Sequence, residues 1–391
     1  MIRRASIGVL AICLAGQAEA ESPETEVEPH VRKWGGLVIP TVGASTTDGP
    51  GFGVGGELFR KSTDPADRYH LKVTPSLYVN TRFNYANNFI RIDYRTPSGR
   101  RWLAQVGHSA WANMRYAGNG GEEVLLVRDE EEIGNRLSSP YAFVSLSVPI
   151  QESDWAWTAQ AYVRGGFATA NPGGLLALDS PLGLNPSVYT DIAGGVSSET
   201  KDRWPMPREG WVFEASLSAG GTIRSGMMVP SATLHIEHAH WLPLWKDSTI
   251  LGARVLAFKT LGTRPFYEAD KAGGRWRDEL GSEQALSGYG RTRTRGDGAA
   301  AVMVELRQRL VTVTPGSADL RFFLSPYAEW GYLFDRFDPG PPLPTVGLSI
   351  PILWQQTVQV RPFAALGWRR APLDAARAPS PQFGVSVLDA L

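Results

Sequence analysis

Few residues in this chain stand where side chains could do chemistry together. Glu305, Arg307 and Arg309 recur at every second position of Ala299 to Leu310, opposite Val302, Val304 and Leu306. Arg321 and Glu329 keep the same rhythm in the next alternating run, Leu320 to Leu333, with Tyr327 and Gly331 on their side. Facing acids and bases of this kind form ion pairs, and a buried carboxylate whose partner is removed costs roughly 3 kcal/mol or more. His235, His238 and His240 lie in one run, but on a strand His235 faces away from the other two. Two imidazoles with no nearby cysteine, and with Glu237 on the wrong face, read as wall histidines rather than as a metal site. His108 and Ser109 are adjacent, so a strand turns them to opposite sides. No acid–His–Ser grouping, nucleophile elbow, phosphate loop or dinucleotide fingerprint appears elsewhere. The reading is a non-enzyme with no cofactor.

The two-residue rhythm that positions these groups is that of strands with one apolar and one polar face. In a soluble protein the polar face meets solvent. In a transmembrane barrel the apolar face meets lipid and the polar face lines the lumen, which turns Glu305, Arg307, Arg321 and Glu329 inward. Composition favours the barrel. The chain has 391 residues, 42 glycines, 13 tryptophans, a single cysteine and a formal net charge of +0. A neutral balance argues against a nucleic-acid partner. Met1-Ile2-Arg3-Arg4, an apolar run from Ile7 to Ala15 and Ala18-Glu19-Ala20 read as a signal peptide over residues 1–20. The one cysteine, Cys13, lies inside it, so the mature chain has no disulfide framework. No later apolar run is long enough for a membrane helix.

Residues 21–33 read as a short periplasmic tail and 34–391 as the barrel. Tyr69 to Asn80, Trp155 to Arg164 and Trp211 to Gly221 alternate most clearly, and Trp102 and Trp111 suit the two interfacial girdles. Phe167 to Arg208 is rich in Gly, Pro, Ser and Asn; one strand is placed near Leu182 to Val196. Leu261 to Gly298 is a long loop, Gly- and Arg-rich at its tip, between the eleventh and twelfth strands. The full reading is an all-β, antiparallel transmembrane barrel of about sixteen strands. An even number leaves both chain ends in the periplasm.

Leu286-Ser287-Gly288-Tyr289, the Gly296-Asp297-Gly298 turn and the following strand with Glu305-Leu306-Arg307 resemble the BamA/TamA superfamily of outer-membrane barrels, also called the bacterial surface antigen family. Glu329-Trp330-Gly331 resembles that family's Asp-x-Gly strand motif. The resemblance implies a barrel of the same strand number, with this loop folded inward and a loop arginine paired to acids on the two strands that follow it. Here that arginine position is Ser287, while both acids have counterparts in Glu305 and Glu329. Arg291, Arg293 or Arg295 on the loop, or Arg307 or Arg321 on the wall, is expected to neutralise them. The alternative is a loop that stays extracellular. The tail is too short for a POTRA module, which implies a barrel-only member.

The implied role is insertion or translocation of proteins or lipids at the bacterial outer membrane, by opening between the first and last strands. The implied surroundings are the outer-membrane bilayer and its lipopolysaccharide, the barrel assembly machinery, and a periplasmic partner that supplies substrate. A passive porin-like channel is the rival reading and an outer-membrane lipid hydrolase the third. The terminal strand alternates Phe383, Val385 and Val387 but ends on Leu391 rather than an aromatic residue.

Overall fold

Alternation governs the wall strand by strand. On Gly298–Val313, Glu305 and Arg307 are buried while Val302, Val304 and Leu306 are exposed. On Leu320–Asp335, Ser325, Tyr327 and Glu329 are buried and Trp330 is exposed. Inside is polar and outside apolar, the inverse of a soluble sandwich. The computed structural model describes residues 34–45, 49–61, 69–81, 85–118, 133–202, 206–245, 248–269, 271, 285–289, 294–314, 319–354, 358–369 and 378–389. The signal and tail readings fall on residues outside these.

The strands in chain order are β1 (Trp34–Ser45), β2 (Gly49–Lys61), β3 (Tyr69–Asn80), β4 (Tyr85–Arg95), β5 (Arg101–Met114), β6 (Asn135–Pro149), β7 (Trp155–Thr169), β8 (Ser187–Glu199) and β9 (Gly210–Arg224). They continue with β10 (Met227–Trp245), β11 (Thr249–Gly262), β12 (Gly298–Val313), β13 (Leu320–Asp335), β14 (Asp338–Pro339), β15 (Leu343–Ser349), β16 (Ile352–Trp354), β17 (Val358–Arg369) and β18 (Ala378–Asp389). All lie in one antiparallel sheet. β15 and β16 both pair with β13 on one side and β17 on the other, so they share one place in the wall. β14 is a two-residue continuation of the hairpin leaving β13. The eighteen segments therefore fill sixteen wall positions. Cα atoms of β1 and β18 come within 8 Å, which brings the sheet round into a barrel.

Among the described residues no helix is long and apolar enough to cross a membrane. The helix α1 (Leu175–Asp179) sits in the loop between β7 and β8, and the strand read from Leu182 to Val196 is β8, which begins only at Ser187 after a turn. Leu175 and Leu176 pack with Trp111, Tyr116, Tyr162, Tyr189, Phe266 and Tyr267 in a buried cluster at the loop end. Trp111 is thus not a girdle residue. It lies nine positions from Trp102, an odd spacing, so the strand turns one indole inward and the other out. β6 begins at Asn135, whose amide donates to the Met114 carbonyl at 3.4 Å and whose Oδ1 accepts the Asn171 N–H at 3.0 Å.

The lipid-facing reading of the outer wall has a direct consequence. Val304→Lys, near mid-strand on the exposed face of β12, should destabilise the barrel by about 2–4 kcal/mol. Urea unfolding in liposomes measures it, and an unchanged midpoint would mean that face does not meet hydrocarbon.

Candidate functional site

The loop between β11 and β12 returns to the inner wall at Ala285 to Tyr289. Leu286 and Tyr289 are buried with Leu256 and Phe258 of β11, Ala299 and Ala301 of β12, Leu333 of β13 and Leu343 of β15. The segment is a tight turn: the Tyr289 N–H donates to the Leu286 carbonyl at 3.1 Å, and Leu286 takes a left-handed φ of 57°. Glycine on both sides permits the approach. A Cβ on Gly288 would sit 2.6 Å from the backbone nitrogen of Gly367 on β17, and one on Gly331 would sit 2.7 Å from Leu286 Cδ2. The Tyr289 hydroxyl donates to the Pro344 carbonyl at 3.0 Å, tying the same turn to β15.

This closeness decides how Glu329 is met. The Ser287 N–H lies 2.7 Å and its Oγ 2.8 Å from Glu329 Oε2, and Oγ is also 3.1 Å from the Tyr327 hydroxyl. A serine suffices because the backbone itself arrives at the carboxylate, so no long side chain has to span a gap. Glu305 is held differently. Arg307 Nη2 stands 2.8 Å from Oε1 and Arg361 Nη2 2.7 Å from Oε2. Arg361 also donates from Nε to Ser349 Oγ at 3.0 Å, and its guanidinium lies 5.7 Å from the Tyr327 ring centre. Glu305, Arg361, Tyr327, Ser287 and Glu329 thus form one buried chain of contacts linking three wall strands to the loop.

The remaining candidate arginines go elsewhere. Arg321 is bonded to Asp319, two residues before it, at 2.6 Å, so its short-range partner replaces the expected long-range one. Arg295 is fully buried nearer the loop end. Its Nε donates to the Phe266 carbonyl at 3.1 Å and its Nη1 to the Arg115 carbonyl at 3.2 Å, with the rings of Tyr116 and Phe266 beside it. It pins the root of the loop. Arg291 and Arg293 lie outside the described residues. Arg361 was overlooked in the sequence, although Gln359 and Arg361 recur on the inner face of an alternating strand, the same signal that marks Glu305.

Above the motif, Glu268 of the loop is buried and accepts from Arg164 Nη1 and the Tyr162 hydroxyl, both at 3.0 Å. Burial pushes the neighbouring Tyr267 phenol up to about 12, so it stays neutral, 3.0 Å from Ser187 Oγ. The histidines divide by face: His235 is buried inside, while the rings of His238 and His240 stand 6.1 Å apart beside Trp211 and Phe213. His108 Nε2 is 2.9 Å from Ser138 Oγ, not paired with Ser109.

An antiparallel barrel with an apolar exterior, a polar interior and a loop anchored inside defines a β-barrel of the outer-membrane type. Its fold is that of the BamA and CdiB barrels. It matches a BamA structure from Haemophilus ducreyi lacking POTRA domains 1-3 at a TM-score of 0.55 and 12% identity, over 90% of this chain and 70% of that one. It matches CdiB from Escherichia coli at 0.56 and 12%, over 90% and 63%, and CdiB from Acinetobacter baumannii at 0.53 and 13%, over 92% and 60%. The chain therefore spans about 60% of the length of the CdiB chains. No protein-family model and no curated protein matches the sequence.

The two arginines should differ sharply on removal. Arg361→Ala strips a buried carboxylate of one of its two cations and should cost roughly 3 kcal/mol. Arg321→Ala breaks a part-exposed pair and should cost within about 1 kcal/mol. Loss of heat-modifiable mobility on gels orders them. Ser287→Ala removes the hydroxyl contacts to Glu329 and Tyr327 at roughly 1–2 kcal/mol, and should expose the 263–297 loop to added protease in otherwise folded barrels.

Proposed function

We propose that the protein acts in the bacterial outer membrane as an insertion or translocation barrel, passing polypeptide or lipid through a wall that opens between its first and last strands. The observation that carries this is the seam. Among the described residues each wall strand is joined to its sequence neighbours by an antiparallel register. Among the same residues β1 and β18 approach one another with no ladder register between them. In hydrocarbon an unpaired backbone edge costs several kcal/mol per group, so a weak seam is where lateral opening meets least resistance. The likeness to BamA and CdiB barrels supports the same reading. A periplasmic partner would deliver the cargo, and the barrel assembly machinery would install the protein itself.

A passive channel needs an unobstructed lumen, and here the loop is folded onto the inner wall at Ser287 and Glu329. In planar bilayers the purified protein should therefore show low, brief openings. Disulfides between cysteines introduced along β1 and β18 should abolish those that arise at the seam, with recovery on reduction. A large, stable open state that no seam disulfide alters would favour the passive channel instead.

A further inference from the structure

The lumen is also entered from the other end. Residues 200–202 and 206–209 lie between β8 and β9, at the end of the barrel where both described chain ends lie. Asp202 Oδ1 accepts the N–H of Arg208 at 2.8 Å and of Glu209 at 3.2 Å, and Gly210 takes a φ of 101° to bring the chain back into β9. Met206 and Pro207 reach the inner wall formed by β12, β13 and β16. Met206 is buried against Phe323 of β13 and Leu353 of β16. The Pro207 carbonyl accepts from Arg307 Nη1 at 2.9 Å, the same arginine that holds Glu305. With Met206 seated, the space bounded by Ile250, Arg307, Arg309, Arg321, Phe323 and Leu353 shrinks to a cavity of about 10 Å³, the room of one water-sized sphere.

We propose that this niche is a binding site for an extended polypeptide, and that the chain's own Met206-Pro207 occupies it as a built-in substitute ligand. The proposal rests on the insertion or translocation reading and names what that site first receives. The recognition chemistry is visible in the occupant: Phe323 and Leu353 take one large apolar side chain, and Arg307 takes the carbonyl of the next residue. Arg309 at the rim adds positive charge, which favours cargo with an acidic flank. An extended chain offers an apolar side chain and an adjacent free carbonyl together; a folded domain has already paired its carbonyls. A phospholipid offers phosphate for the arginines but not this spacing.

The test uses the full protein in detergent with a fluorescein-labelled peptide of Gly and Ser carrying one central Met-Pro, and a control peptide with Ser in place of Met. Met206→Gly should bind the Met peptide at least about tenfold more tightly than wild type does, and about tenfold more tightly than it binds the control. Met206→Cys with Leu353→Cys should form a disulfide on mild oxidation, lose peptide binding, and regain it on reduction, so one folded preparation serves as its own reference. Equal binding by wild type and Met206→Gly, equal binding of both peptides, competition by phosphatidylglycerol micelles as strong as by unlabelled peptide, or failure of the disulfide to form would each overturn the proposal. A seam that proves inert in bilayers while the peptide still binds would remove the translocation reading and leave the niche.

Discussion

A polypeptide wall in hydrocarbon must pair its own backbone, because lipid offers neither donors nor acceptors. Nearly every feature of this barrel follows from that requirement. Strands pair in chain order through hairpins, the sheet curls until its ends meet, and the outer face carries Val, Leu, Ile and Trp while the polar side chains turn inward. The same requirement singles out the join between β1 and β18. It is the one junction of the wall whose partners are distant in sequence.

Turning polar residues inward creates the second problem, that of charge in a confined space. The molecule solves it locally wherever it can. Asp319 and Arg321 neutralise each other within one strand start, as do Glu305 and Arg307 on neighbouring inward positions of β12. Glu329 has no such neighbour, and the loop meets it with a serine hydroxyl and a backbone amide. That contact depends on glycines at 288, 331 and 367, which let the loop backbone come close to the wall. Chain from both ends of the barrel then reaches this polar network: the loop at Tyr327 and Glu329, and Pro207 at Arg307.

Much of the wall was legible because a strand's period is two and does not depend on its neighbours. β3, β7, β9, β12 and β13 alternate plainly, and the inward positions of Glu305, Arg307 and Glu329 follow from counting. The errors arose where that counting met another rule. Trp111 was placed by residue type, though its spacing from Trp102 puts it on the inner face. The region before β8 holds a five-residue helix too short to show a helical period. Arg361 was passed over because its strand carries few charges, so no run drew attention to it.

By itself, then, the chain determined that it is an all-β barrel with a wet inside, which acids face that inside, and where the long loop leaves the wall. Only the tertiary structure decided which cations meet those acids, that Ser287 and not an arginine reaches Glu329, that Arg295 anchors the loop root, and that Met206 packs on Phe323 and Leu353 at the far end. The physical reason is one of range. Alternation is written between residues two apart, whereas the pairing of Glu305 with Arg361, or of Arg307 with Pro207, joins segments about fifty and one hundred residues apart. Those partners become neighbours only when the sheet has curled and closed.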